Sequence, residues 1–252
     1  MSENWLEGRT ALITGAGRRI GHDVAIALAD EGANIVAHYR SSADEAGELQ
    51  GELRERGVKS WLVKADFEKP EEYETLIDRA WRVAGSVDVI INSAAIFPPS
   101  TLEDVQFQDL IRSLQVNAWA PFVLSRAFAG TAQRGKIINM LDSRVTSYDW
   151  GHVAYILSKH ALATLTEMMA LQYAPRITVN GIAPGLILPP PGKDDSYIES
   201  LVKTVPLKRR GDPGDIAEAI IYLLKSDFVT GQVIYVDGGR HLMEYSSGPY
   251  PD

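Results

Sequence analysis

Tyr155 and Lys159 stand four residues apart in the run His152-Val-Ala-Tyr-Ile-Leu-Ser-Lys-His-Ala161. Four residues make about one helical turn, so on a helix the phenol and the ammonium project from one face. A cation beside a phenol favours phenolate, and it is expected to lower the tyrosine pKa from about 10 toward the range of a proton donor or acceptor. A second chemical element lies near the N-terminus, in Thr14-Gly-Ala-Gly-Arg-Arg-Ile-Gly21. Gly15, Gly17 and Gly21 allow positive φ and close approach of a pyrophosphate, and the helix start that follows offers free N–H groups to phosphate. One element can hold a dinucleotide and the other can move a proton. Together they describe a hydride-transfer enzyme.

The elements that must position these groups alternate along the chain. Strands are expected at 10–14, 34–39, 58–65, 87–92, 136–141, 177–182 and 232–236. Between them lie helical patterns at 18–31, 41–56, 70–84, 102–113, 114–131, from before Tyr155 to about 173, at 198–203 and at 214–225. Gly32 and Gly57 close the first two helices, and Pro70 opens the third, where a missing N–H does no harm. A proline-rich loop fills 184–195. Strand–helix alternation predicts an α/β fold, a Rossmann-type doubly wound parallel sheet, over a single domain spanning 1–252. The segment 245–252 is polar and turn-rich, either a loose tail or a strap on a neighbouring subunit.

The end of the second strand selects the dinucleotide. An acid there would bind the ribose 2′-hydroxyl of NAD, but the chain reads His38-Tyr39-Arg40-Ser41-Ser42, with no carboxylate until Asp44. Arg40 and Ser41 suit a 2′-phosphate, and Arg18 supplies a second cation, so NADPH is the expected cofactor. The 252-residue chain carries a net charge of −8, which argues against nucleic acid as the main partner. There is no cysteine for a disulfide, a thiolate or a thiolate-bound metal, and the five histidines show no ligand spacing with acids, so no metal is assigned. No apolar run approaches the ~20 residues of a membrane span and no secretory signal is visible, so a cytoplasmic location is expected.

With these residues in place, the chain resembles the single-domain short-chain dehydrogenase/reductases over nearly its whole length. Asp66, with Phe67 beside it, matches the acidic position near the adenine. Asn92, Ser93 and Ala94 match the motif after the fourth strand, and Ile20 lies in the glycine motif itself. Asn117 matches the asparagine that holds a proton-relay water. Pro184 and Gly185 match the loop over the nicotinamide, with Ile187 meeting its carboxamide, and Val236-Asp-Gly-Gly239 matches the C-terminal strand signature. The resemblance implies strand order 3-2-1-4-5-6-7, Tyr155, Lys159 and Asn117 as catalytic residues, and a homotetramer. Three departures are similar to the pteridine reductases, including dihydromonapterin reductases. Asp142 replaces the usual serine thirteen residues before the tyrosine, Arg18-Arg19 replaces the middle of the glycine turn, and the fourth-strand motif reads Asn92-Ser-Ala-Ala-Ile-Phe97. Ser93 and Ala95 depart from typical pteridine-reductase residues.

A pterin is flat and rich in hydrogen-bonding nitrogens, and stacking between nicotinamide and Phe97 would bury both its faces. A carboxylate at Asp142 repels a developing oxyanion, so it suits this ligand better than a ketone. Asp142 could accept from a pterin amino group or hold the tyrosine, and Arg19 could face a ring oxygen or the cofactor phosphate. Three alternatives stand beside these: Ser143 shifted into the serine role, Phe97 as a core residue under Pro98-Pro99, and Arg19 as a solvated cation. The expected activity is NADPH-dependent reduction of a dihydropterin to a tetrahydropterin, with Tyr155 donating the proton. Its rivals are a carbonyl reductase for a ketone or 3-oxoacyl thioester, and an idle NADPH-binding sensor or scaffold.

Overall fold

The structure, a computed structural model, describes residues 4–190 and 192–243; the tail at 245–252 lies outside the described residues. Seven strands form one all-parallel sheet: β1 (Thr10–Thr14), β2 (Asn34–Tyr39), β3 (Ser60–Lys64), β4 (Val89–Asn92), β5 (Gly135–Met140), β6 (Ile177–Pro184) and β7 (Val233–Val236). Their order across the sheet is β3-β2-β1-β4-β5-β6-β7, as expected. The chain steps outward through β2 and β3, then crosses back to β4 beside β1. That reversal opens a crevice above the C-terminal ends of β1 and β4, where doubly wound sheets bind their ligands.

The strands are apolar at successive positions because both faces are covered. Ala11 and Ile13 pack into one core and Leu12 into the other, and Val89 and Ile91 oppose Ile90 in the same way. On the first face lie α1 (Arg19–Asp30), α2 (Ala43–Glu55) and, from the chain's end, the helix at Pro213–Lys225. On the second lie α3 (Pro70–Glu74), α4 (Leu76–Ala84), the α5 to α6 segment described next, and α7 (Val153–Tyr173).

Two expected helices differ. The helix expected at 70–84 is broken at Thr75, whose hydroxyl donates back to the carbonyls of Glu71 (3.1 Å) and Glu72 (3.4 Å), a bond that competes with the helical ladder. The helix expected at 102–113 starts late, as α5 (Phe107–Leu114), because Gln106 and Asp109 form a capping box; the Gln106 N–H donates to Asp109 Oδ2 at 3.0 Å. No break follows at 113. The chain runs through a π-helical turn, Gln115–Trp119, into α6 (Ala120–Thr131). Near the C-terminus, α8 (Asp195–Leu201) starts earlier than 198 because Asp194 caps it, and α9 (Pro213–Lys225) matches closely.

Candidate active site

Gly15, first residue after β1, has φ +69°, and a methyl group on it would crowd the Ala94 backbone at 3.0 Å. A methyl on Gly21 would collide with the Gly15 carbonyl, and one on Gly17 would come within 2.8 Å of Ser42 Oγ. The turn therefore closes only with glycine at these positions. Arg19 also has positive φ (+56°), a conformation that disfavours any side chain, and its guanidinium donates to the Pro189 carbonyl at 2.8 Å. Arg19 thus bridges the glycine turn to the loop after β6 instead of standing free in solvent.

His38 fixes the turn from β2. Its Nδ1 accepts from the Gly15 N–H at 3.1 Å, its Nε2 donates to the Ala65 carbonyl at 2.9 Å, and its ring stacks on Phe67 with centroids 4.6 Å apart. Burial lowers its pKa to about 4, which keeps it neutral and in the tautomer these bonds require. Thr14 Oγ1 accepts from the N–H groups of Ser93 (2.9 Å) and Ala94 (3.0 Å), pinning the loop after β4 to the glycine turn. Asn92 lies beneath, donating to Ser125 Oγ and Asn139 Oδ1. At the β2 end, Arg18 pairs with Glu45 at 2.7 Å, and Arg40 with Glu68 at 3.2 Å. Glu68, which the sequence did not single out, is shared with Arg112 at 2.7 Å.

A cleft of about 710 Å³ runs from these cations past the glycine turn to Tyr155. Arg18, Ile20, Arg40, Ser41, Asp66, Phe67, Ser93, Ala94, Pro184 and Gly185 all line it. Gly17, Asn92, Asn117 and Ile187 lie behind that lining; the Ile187 side chain is buried in the core. Gly185 allows the loop after β6 to lie on the C-terminal signature, since a methyl there would meet Asp237 Cβ at 2.5 Å. A glycine cradle that admits no side chains, beside two basic residues, fits a phosphorylated dinucleotide.

The far end of the cleft carries the proton-moving groups. The α7 start is anchored by Ser100, whose hydroxyl accepts from the Ala154 N–H at 3.1 Å. Asn117, on the π-helical turn, accepts from the Ile96 N–H at 2.8 Å and donates to the Ile96 carbonyl and Ser158 Oγ, both at 3.0 Å. It ties the loop after β4 to α7, one residue before Lys159. The Tyr155 hydroxyl donates to Asp142 Oδ2 at 3.0 Å. That bond is made by Asp142; the neighbouring Ser143 is buried and also lines the cleft, without bonding the phenol. Phe97 is half-buried and lines the cleft, with its ring edge-on to Tyr155 at 4.5 Å, so it is not a core residue.

The expectation that Lys159 lowers the Tyr155 pKa is overturned. Burial and the charge of Asp142 raise it well above 10. Lys159 spends its ammonium on the Met140 carbonyl at 2.6 Å, and burial lowers its own pKa to about 8. Burial and Asp142 therefore favour the protonated phenol, the form that can donate.

Three groups escaped the sequence. Arg144 binds Asp142 through both Nε (2.9 Å) and Nη2 (2.7 Å) and contacts Asp149 through Nη1. Asp149 in turn holds His152 Nδ1 at 3.0 Å, and the His152 ring stacks on Phe97 with centroids 3.7 Å apart. This loop follows no period and carries only Arg144 and Asp149 as charges between Asp142 and His152, so no sequence signal marked it. Among the described residues no group of three or more acids and histidines could hold a metal ion.

Residues 15–241 match the family described as Enoyl-(Acyl carrier protein) reductase. The chain belongs to the short-chain dehydrogenase/reductase family. It is 32% identical over 242 residues to a 3-oxoacyl-acyl-carrier-protein reductase of Staphylococcus epidermidis, covering 93% of this chain and 99% of that one. Among solved structures of this family it resembles an alternative dihydrofolate reductase 1 from Brucella canis complexed with NADP, with TM-score 0.91, 29% identity, and 95% and 96% of the two chains covered. It also resembles a blue fluorescent protein from a metagenomic library in complex with NADPH, with TM-score 0.86, 33% identity, and 93% and 98% covered.

Proposed function

We propose that this short-chain reductase uses NADPH to reduce a pterin, taking a dihydropterin to a tetrahydropterin. One observation carries the assignment: the Tyr155 phenol is bonded at 3.0 Å to an acid, Asp142, in a cleft that also holds Phe97. A carbonyl reductase needs hydrogen-bond donors where oxyanion charge develops, and an ionised carboxylate there works against it. A ring nitrogen that receives a proton has no such conflict. The bound cofactor supplies hydride. Gly15, Gly17, Ile20, Asn92, Ser93, Ala94, Asp66, Phe67, Pro184, Gly185 and Ile187 shape its site, and Arg18, Arg40 and Ser41 take its 2′-phosphate. Lys159 binds the nicotinamide ribose, Asn117 braces α7, and Arg19 ties the glycine turn to the loop after β6 at the rim of the cleft.

Asp142 accepts four hydrogen bonds, three from Arg144 and one from Tyr155, and that fills its acceptor sites. Its role is therefore to hold the phenol; contact with a pterin amino group would require an Arg144 bond to break. His152 covers one face of Phe97, and the Arg144 guanidinium lies over the same ring, 5.6 Å from its centre. Reduction of a 3-oxoacyl thioester is the second candidate, favoured by the similarity to the Staphylococcus epidermidis reductase. An NADPH-oxidation assay across dihydropterins, dihydrofolate, ketones and a 3-oxoacyl thioester separates the two. Pterin turnover with weak carbonyl turnover is expected; the reverse order would overturn the assignment, and tight NADPH binding with no turnover would favour a sensor or scaffold.

We further infer a homotetramer, supported by exposed apolar side chains on α5 and α7: Phe107, Leu157, Met168 and Leu171. Light scattering that gives a monomer would contradict it.

A further inference from the structure

We propose that Arg144 is a positioning residue of the active site: a fixed cation that balances the charge left on the phenol when Tyr155 gives up its proton. The proposal rests on Tyr155 as proton donor in the pterin reduction above. Reducing a C=N bond places hydride on carbon and a proton on nitrogen. When the Tyr155 O–H bond breaks and its proton passes to the ring nitrogen, a phenolate is left bonded to the carboxylate of Asp142. Two adjacent anions in a buried site are unfavourable unless a cation faces both.

The charged groups around the phenol are Asp142 after β5, Arg144 and Asp149 on the loop that follows, and Lys159 on α7. Lys159 is turned to the Met140 carbonyl, with its ammonium 5.7 Å from the Tyr155 ring centre. Arg144 is seated otherwise. It grips Asp142 through two guanidinium nitrogens, contacts Asp149 with a third, and lies 6.0 Å from the Tyr155 ring centre and 5.6 Å from that of Phe97. Its side chain is 23% exposed, so its charge is little screened. The same guanidinium lowers the phenol pKa against the opposing pull of Asp142. The arrangement adds an arginine, 6.0 Å from the Tyr155 ring centre, to the lysine at 5.7 Å as a second cation facing the phenol.

The test compares Asp142→Asn with Asp142→Asn/Arg144→Gln, each as its NADP complex carrying 13Cζ-tyrosine, with Tyr155→Phe identifying the resonance. Burial and the charge of Asp142 both raise the phenol pKa, and Asp142→Asn removes the second of these. We expect the Tyr155 midpoint to lie at least about one pH unit higher without Arg144 than with it. A purely structural arginine would leave the midpoint unmoved, and equal midpoints, or a lower one in the double variant, would overturn the proposal. Because no substrate is present, this result is separate from whether the substrate is a pterin. In turnover, Arg144→Gln alone is expected to lower kcat ~10- to 100-fold with NADPH affinity within about twofold, and to raise the solvent deuterium isotope effect as proton transfer becomes limiting. The double variant, which removes both charges together, should recover part of that loss; loss of Arg144 with no change in kcat or isotope effect would contradict the assignment.

Discussion

At the scale of single residues, the chemistry concentrates on one phenol. Tyr155→Phe keeps the ring and removes the proton, so turnover should fall by ~10²-fold or more while NADPH binding is nearly unchanged; fluorescence titration and steady-state rates check both. At the other end of the cleft, Arg40→Ala tests the contact proposed between Arg40 and the 2′-phosphate. NADPH affinity should drop ~10- to 100-fold and NADH affinity hardly at all. An equal loss for both would show that Arg40 serves only Glu68. The pairing of Asp142 with Tyr155 was legible through the family resemblance, which marks the position thirteen residues before the tyrosine; one residue lies just past β5 and the other on α7. The Arg144, Asp149 and His152 cluster was not legible, since an irregular loop decides how its few charges meet. Lys159 was misjudged for a related reason: helical spacing gives the face of a side chain, but not the backbone carbonyl that captures its end.

At the scale of elements, the glycine turn is the joint on which the cofactor end of the cleft depends. Gly21→Ala places a methyl against the Gly15 carbonyl, so α1 must shift away from β1. The variant should lose ~2 kcal/mol of stability and bind NADPH more weakly, read by thermal denaturation with and without cofactor. Strands were legible to within two residues at each end, because parallel strands buried on both faces are apolar runs. The helices were less so. Thr75 and the Gln106–Asp109 box redirect the backbone by local side-chain bonds that apolar periodicity does not register. The π-helical turn carrying Asn117 is likewise invisible to periodicity, since its extra residue appears only when the backbone bonds are traced.

At the scale of the whole molecule, the buried His38 links stability to pH. Its pKa is about 4 in the fold and 6.5 as a free side chain, so the unfolded chain binds a proton that the native chain refuses. Its contribution is present above about 6.5 and is lost as pH falls toward about 4, a total of about 3 kcal/mol. Denaturant titrations across that window should show the slope, and His38→Gln, which does not titrate, should flatten it. The sheet order and the family are the firmest large-scale features, because alternating strands and helices permit few topologies. On the function proposed above, substrate choice turns instead on one side chain, Asp142, just beyond β5. The most direct test is therefore to replace Asp142 by Ser and compare kcat/KM for a dihydropterin and a 3-oxoacyl thioester, with NADPH, in both proteins. The original protein should prefer the pterin by ~100-fold or more and Asp142→Ser should narrow or reverse that preference; an original protein that prefers the thioester, or a preference untouched by the substitution, would contradict the account.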